Sequence, residues 1–263
     1  MADTIDLQLD AGTARLTLAR PEVHNAFDAA LIADLCAALD ALAADASVTA
    51  LVLSGTGSTF SAGADLQWMR GMASASEAVN LADSLQLARL MRTLNFFPKP
   101  TIARVNGSAY GGGVGLVACC DIAIGVTGAK FALSEAKLGL VPAVISPYVV
   151  AAIGARQARR LFQTAEVFDA PEALRIGLLH EAVDGAGLDD AVDRSLHWLG
   201  KGGPVAKAEG KRLALALGGM TQADAQREDA ANAALIAKLR VSVEGQEGLS
   251  AFLDKRAPRW VGS

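Results

Sequence analysis

The spacing of apolar and polar positions changes along the chain and marks out its elements. Alternating segments at 5–9 and 13–18, joined by Asp10-Ala11-Gly12, predict a β-hairpin. Leucines at helical spacing across 28–44 predict a helix with Asp28 as its N-cap. The next predicted elements are a strand at 50–53, a helix at about 75–94, and strands at 101–105 and 121–126. Alternation of this kind predicts an α/β fold with a parallel sheet covered on both faces.

The last quarter of the chain has helical periodicity almost throughout. The predicted helices are 188–199, 204–217, 221–239 and 243–255, and Pro204 sits where a first-turn proline belongs. We therefore predict two regions, an α/β core over 1–190 and a helical region over 191–263. The helices from Pro204 onward carry alanines and leucines on more than one face, which predicts an oligomer.

Composition narrows the class of protein. Of the 263 residues 52% are hydrophobic and 20% charged, which is typical of a globular chain. The net charge of −4 argues against nucleic acid as the main partner. The longest uncharged stretch, 138–155, is interrupted by prolines and glycines, so no membrane span is predicted. An odd count of 3 cysteines and the absence of a secretory pattern at the start favour a cytoplasmic location.

Two segments could present backbone N–H groups to a ligand. The first, 60–66, follows a strand and opens a helix; alternatively it is an ordinary corner in which Asp65 stabilises the first helical turn. The second, 105–113, contains three successive glycines at a helix start. Such glycines are useful where a ligand must approach the backbone or where helices pack tightly, and both interpretations stay open.

A third candidate is Glu135, the only carboxylate between Asp121 and Glu166. Apolar neighbours should raise its pKa, and a carboxyl group of that kind can act as a general acid or base. The alternative is a solvated glutamate in the first turn of a helix.

Other chemistries find little support in the sequence. Gly113, Gly115 and Ala118 match the weak dinucleotide-binding spacing, but a turn separates them from the preceding strand and no acidic residue ends the next one. No metal site is predicted, because the histidines at 24, 180 and 197 have no ligand-like spacing. Cys119 and Cys120 are predicted to be inert core thiols.

The three candidates occur in this order after an Arg20-Pro21 to Asn25-Ala26 element, and the combination resembles the crotonase superfamily of enoyl-CoA hydratases and isomerases over essentially the whole chain. The closing segment 247–256 is also similar to that family's C-terminal helix. The resemblance implies a spiral of ββα units, a helical C-terminal trimerisation region, and a homotrimer or homohexamer. It implies an acyl-CoA thioester as substrate, so coenzyme A is part of the substrate and no separate cofactor is expected.

The resemblance also implies roles for individual residues. The backbone N–H groups of Ala64 and Gly112 would form the oxyanion hole, and Glu135 would be the second of the family's two catalytic glutamates. The first glutamate falls on Gly115 and is missing, which should leave space beside the acyl group. The remaining substrate-binding positions implied by the resemblance are Ala62, Asp65, Leu66, Gln67, Phe252 and Lys255.

The segments 111–116 and 144–148 are similar to a bacterial branch associated with the hydration of methylglutaconyl-CoA and isohexenylglutaconyl-CoA. The first hypothesis is thus an enoyl-CoA hydratase acting on a 2-enoyl-CoA, possible substrates including branched and glutaconyl types. The others are an enoyl-CoA isomerase that uses the single glutamate and a non-catalytic acyl-CoA-binding scaffold. A glutaconyl-type substrate would need a cation for its distal carboxylate, and Arg104, Lys130 and Lys137 are the candidates by proximity in sequence.

Overall fold

The structure, a computed structural model, describes residues 4–262. The strands are β1 (Ile5–Asp10), β2 (Thr13–Leu18), β3 (Ala50–Gly55), β4 (Thr59–Ser61), β5 (Thr101–Val105), β6 (Ser108–Tyr110), β7 (Ile122–Val126), β8 (Lys130–Ala132), β9 (Phe168–Asp169) and β10 (Glu181–Val183). The helices are α1 (Ala29–Ala44), α2 (Leu66–Ser74), α3 (Glu77–Asn95), α4 (Gly112–Cys119), α5 (Ser146–Thr164), α6 (Ala170–Arg175), α7 (Leu188–Gly200), α8 (Pro204–Leu217), α9 (Gln222–Arg240) and α10 (Val243–Leu253).

The strands form two sheets that the chain visits in turn. One sheet has the order β1-β2-β3-β5-β7-β10 and the other β4-β6-β8-β9. Each of the successive pairs β3–β4, β5–β6 and β7–β8 places its first strand in the larger sheet and its second in the smaller one. Helices follow the first two pairs, and a short 3-10 turn (Ser134–Leu138) and α5 follow the third. This is the predicted α/β spiral of ββα units, which is confirmed.

The N-terminal hairpin forms as the alternation predicts. β1 and β2 pair antiparallel with Asp10 opposite Thr13, so Ala11 and Gly12 alone make the turn. Both have positive φ angles, 47° and 83°, as a tight two-residue hairpin turn requires. From β2 onward the larger sheet is parallel.

Apolar side chains cover both faces of the larger sheet. On one face, α1 buries the leucines of its predicted stripe. On the other face, Val52, Ile102 and Ile124 of three neighbouring strands pack against Leu188 and Val192 of α7. The predicted sheet with two covered faces is therefore confirmed.

The C-terminal helices differ in what they contact. Helix α9 packs along α3, and α10 packs on α2 and on the turn 134–138. Helix α8 buries none of its residues in the chain, and Val205, Leu213 and Leu217 are exposed on it. The region 191–263 is thus partly a wall of the core, while its predicted role in oligomerisation stays a prediction.

Between residues 4 and 262, no helix is both long and apolar enough to cross a membrane.

Candidate active site

A buried polar network holds the chain that follows β4. The side chain of Asn25, fully buried, accepts from the Arg20 N–H and donates to the backbone carbonyls of Thr56, just before β4, and Thr59, the first residue of β4. The Arg20 guanidinium donates to the carbonyl of Ala26 and contacts the carboxylates of Asp28 and Asp65 at 2.9 and 3.3 Å. The Arg20 to Ala26 motif therefore supports the chain on both sides of β4.

This support turns the Ala64 N–H away from Phe27. Phe27 forms a parallel bridge with Ala64, in which the Phe27 N–H donates to the Gly63 carbonyl and the Asp65 N–H donates to the Phe27 carbonyl. In such a bridge the N–H of the central residue points to the opposite side. Among residues 4–262, no acceptor takes the Ala64 N–H.

The second free N–H belongs to Gly112, the first residue of α4. A helix leaves its first N–H groups without an intrahelical acceptor, and no side chain caps this one. Parallel pairing of β4 with β6 brings the two loops together, and a Cβ on Gly112 would stand only 3.0 Å from the Phe27 ring. Ala64 and Gly112 both line one cavity of about 240 Å³.

Glu135 extends into the same cavity from the turn 134–138. Its Oε2 is buried and accepts no hydrogen bond from residues 4–262. Burial raises the pKa of Glu135 from 4.5 to about 7, because the charged carboxylate loses its hydration. The alternative of a solvated first-turn glutamate is therefore wrong for this residue. A group with this pKa exchanges a proton readily at neutral pH.

Two glycines let α10 press against the turn that carries Glu135. A Cβ on Gly248 would lie 2.3 Å from the backbone of Leu138, and one on Gly139 would lie 2.6 Å from the carbonyl of Glu244. Gly139 also has a positive φ of 66°, which ends the turn. Backbone contact of this kind fixes the position of Glu135 in the cavity wall.

The cavity is apolar over most of its wall, which includes Trp68, Met69, Leu87 and Ile236. Within the described chain, Glu135 is its one carboxylate, and Lys137 and Arg240 are its cations. Arg240 was missed from the sequence, because it follows the predicted helix 221–239 directly, in the region assigned to oligomerisation. Only the packing of α9 on α3 brings it to the site.

The other residues implied by the resemblance divide into two groups. Ala62 and Phe252 line the cavity. Asp65, Leu66, Gln67 and Lys255 do not. Asp65 is buried and accepts from two N–H groups at the start of α2 as well as pairing with Arg20. The interpretation of Asp65 as a residue that stabilises the first turn of a helix is therefore confirmed. Contacts of Asp65, Leu66, Gln67 and Lys255 with the substrate stay predictions.

The expectation of open space beside Gly115 is wrong. A Cβ on Gly115 would lie 2.4 Å from Cγ2 of Ile145 and 3.3 Å from Cε of Met91. Helix α4 packs so closely on the segment before α5 that the isoleucine occupies the place of a side chain. Gly115 does not line the cavity.

Close packing is confirmed for one part of the glycine-rich segment, and the approach of a ligand to Gly112 stays a prediction. Gly112 faces the cavity, whereas a Cβ on Gly113 would stand 2.7 Å from the Ser61 carbonyl. The dinucleotide-like spacing of Gly113 and Gly115 is therefore explained by packing. Cys119 and Cys120 are buried, and burial raises the pKa of Cys120 to about 12, which agrees with inert core thiols.

The comparisons with known proteins agree with this geometry. Residues 8–263 match the enoyl-CoA hydratase/isomerase family. The chain belongs to this family, within the crotonase superfamily. The fold matches the crystal structure of an enoyl-CoA hydratase from Shewanella pealeana with a TM-score of 0.80, at 44% identity over 98% of this chain and 96% of the other. The expectation of an enzyme of this superfamily is thus confirmed.

Two curated relatives carry specific names. A crotonyl-CoA hydratase of Syntrophomonas wolfei is 32% identical over 261 residues, covering 98% of each chain. A 2,3-dehydroadipyl-CoA hydratase of Escherichia coli is 32% identical over 255 residues, covering 94% of each.

Proposed function

We propose that the protein is an enoyl-CoA hydratase that adds water across the 2,3 double bond of a 2-enoyl-CoA. One observation carries the proposal: a buried carboxylate with a pKa of about 7 lies in the same cavity as the free N–H groups of Ala64 and Gly112. An enolate needs a place for its negative oxygen and a group that moves a proton. The cavity offers both.

In the proposed reaction the thioester oxygen accepts from the Ala64 and Gly112 N–H groups. The oxygen of a water molecule bonds to C3, and the π electrons move through C2 onto the thioester oxygen as an enolate. Glu135 takes the proton from the water and delivers it to C2 as the carbonyl re-forms. A fixed pair of N–H donors stabilises the developing charge without reorganisation, which is worth roughly 100-fold or more in rate per donor.

The acyl group we propose is branched or carries a second carboxylate, as in 3-methylglutaconyl-CoA. The branch resemblance of the segments 111–116 and 144–148 supports this substrate class, and the relatives act by name on both a neutral and a dicarboxylic acyl group. Of the cations proposed for the distal carboxylate, Lys137 lines the cavity. Arg104 instead pairs with Asp189 at 2.6 Å, and Lys130 lies off the cavity wall.

A turnover screen in oxygen-18 water tests the reaction. The substrates are crotonyl-CoA, 3-methylcrotonyl-CoA, 3-methylglutaconyl-CoA and a 3-enoyl-CoA. The masses of the products are measured by mass spectrometry. A hydratase gives a 3-hydroxyacyl-CoA that carries the label. A shifted double bond without label contradicts hydration.

That second outcome is the signature of the alternative function, an enoyl-CoA isomerase. It is favoured by the single carboxylate, since moving a proton between C2 and C4 needs one base and no water. A third function, a scaffold that binds acyl-CoA without turnover, would give no product from any member of the panel. The free oxyanion donors beside an unpartnered carboxylate oxygen disfavour it.

We also propose that coenzyme A lies against residues 62–67 and against Phe252 and Lys255.

We further propose that the protein is a cytoplasmic homotrimer or homohexamer. The support for an oligomer is the exposed apolar surface of α8, where Leu217 is 81% exposed. Light scattering tests the assembly, and a monomer at micromolar concentration contradicts it.

A further inference from the structure

Arg240 is a largely buried cation on the wall of a mostly apolar cavity. It ends α9, and its side chain is only 14% exposed. Besides Glu135, the other charged group on the described part of this wall is Lys137, which is exposed to solvent. A guanidinium that has lost most of its hydration is costly unless its donors are matched by acceptors.

Only one nitrogen of this guanidinium, Nη1, has hydrogen-bond acceptors in the described part of the chain. Nη1 lies 3.1 Å from Oδ2 of Asp83, 3.2 Å from Oδ1 of Asn80 and 3.4 Å from Oγ of Ser84. Across residues 4–262, no acceptor takes the N–H groups of Nε or Nη2. A guanidinium has five N–H groups, so three are left for a ligand.

The position of the Arg240 guanidinium is also fixed by its neighbours. Asp83 accepts from the Trp68 indole at 3.0 Å, and the guanidinium carbon lies 5.8 Å from the centre of that ring. Gln246 donates to the Arg240 carbonyl at 2.6 Å and fixes the end of the helix. A cation whose position is set before the ligand arrives loses little entropy on binding.

We infer that Arg240 is the specificity-determining residue of the acyl pocket and binds a carboxylate on the acyl group, remote from the thioester. Three fixed N–H donors in a planar fork match the two oxygens of a carboxylate. The Asp83 charge only partly offsets the arginine, because the carboxylate would meet the unused edge of the fork. This inference rests on the proposed function, since it assumes an acyl-CoA in the cavity. It assigns the cation role to a residue that none of the sequence-based candidates included.

Binding of saturated acyl-CoA pairs tests the inference without turnover. Glutaryl-CoA is compared with pentanoyl-CoA, and adipyl-CoA with hexanoyl-CoA, by isothermal titration calorimetry. The pairs share coenzyme A and chain length and differ by the carboxylate. We expect the wild type to prefer at least one dicarboxylic member by roughly 10-fold or more, because hydrogen bonds to charged groups are the strong ones. In Arg240→Gln that preference should vanish, with affinity for the neutral member within about threefold.

Two variants separate recognition from support. Asp83→Asn keeps the shape and can still accept from Trp68, but it removes the negative charge beside Arg240. It should leave the carboxylate preference unchanged or increase it, whereas a structural role predicts the same loss as Arg240→Gln. Arg89→Gln makes the same charge change on the surface of α3, where Arg89 pairs with Asp40, and should leave the preference unchanged.

Three results would overturn the inference. The first is a wild type that prefers neither dicarboxylic ligand. The second is an equal loss of affinity for both members of a pair in Arg240→Gln, since the arginine would then contact coenzyme A or only hold α9. The third is a preference removed by Lys137→Gln but not by Arg240→Gln. Failure of the proposed hydration would show separately, as absence of labelled product in the oxygen-18 screen while the binding preference persists.

Discussion

Glu135 lies directly against the backbone of Gly111, so closely that a Cβ on Gly111 would stand 3.1 Å from Oε1 of the carboxylate. Gly111 also has a φ of 47°, and it immediately precedes Gly112, whose N–H we assign to the oxyanion hole. One glycine thus lets the acid–base group and the oxyanion donor approach the same acyl group. This relationship sets the first prediction.

Gly111→Ala should lower turnover by roughly 10-fold or more, because the new methyl group displaces Glu135 and the strained φ moves the start of α4. The strain should also cost about 1–3 kcal/mol of stability. Steady-state kinetics and urea unfolding measure the two effects. Gly128→Ala is the control, since a Cβ there meets nothing within 4 Å. Wild-type turnover in Gly111→Ala would show that the contact with Glu135 is unimportant.

Gly115 and Ile145 give the second prediction, which concerns packing. Gly115→Ala places a methyl group 2.4 Å from Cγ2 of Ile145 and should destabilise the fold by about 1–3 kcal/mol. Ile145→Ala removes that atom, so the double variant should be destabilised by less than the sum of the single effects. Thermal or urea unfolding of the four proteins measures the coupling. Strict additivity would mean that the two positions do not compete for space.

The third prediction is a pH dependence of stability caused by Glu135. Its pKa is higher in the folded protein, about 7, than the ordinary 4.5. Its contribution to stability is therefore fully present below pH 4.5 and is lost as the pH rises through about 7. Relative to Glu135→Gln, the wild type should lose at most about 3 kcal/mol of unfolding free energy over this window. Urea unfolding at pH 5 and pH 8 measures the difference, and a parallel change in both proteins would contradict the assigned pKa.

The fourth prediction concerns α10 as a support for Glu135. Gly248→Ala forces a methyl group to within 2.3 Å of the Leu138 backbone, so the turn 134–138 must move. Turnover should fall roughly 10-fold, since a displacement of about 1 Å at a reacting group can cost up to 100-fold. Gly200→Ala, where a Cβ meets nothing within 4 Å, should keep wild-type kinetics. If Gly248→Ala turns over like the wild type, α10 does not position Glu135.

The sequence predicts the parts of this molecule that repeat a pattern over many residues. The leucine stripe of α1 and Gly12 in the hairpin turn are local signals, because burial of one helix face requires apolar residues at helical spacing and a positive φ favours glycine. The strands β4, β6 and β8 have 3 residues each, too few to show an alternation, and they were not predicted. Yet these strands bring the two oxyanion segments together.

The site residues that belong to sequence motifs were predictable, whereas those brought to the site by long-range packing were not. Ala64, Gly112 and Glu135 come from segments with a recognisable order along the chain. Arg240 reaches the cavity only through the contact between α3 and α9, which no local pattern encodes. The filling of the space at Gly115 by Ile145 is likewise a long-range contact, and a missing side chain in the sequence therefore did not mean a vacant volume in the fold.

The turnover of Glu135→Gln tests the central claim most directly. The amide keeps the size of the side chain but cannot take a proton from water or return one to C2. We predict that kcat for the best substrate of the panel falls by about 100-fold or more, while the affinity for a saturated acyl-CoA stays within about twofold. Hydration by Glu135→Gln at a rate within about threefold of the wild type would contradict the assignment of Glu135 as the group that moves the proton.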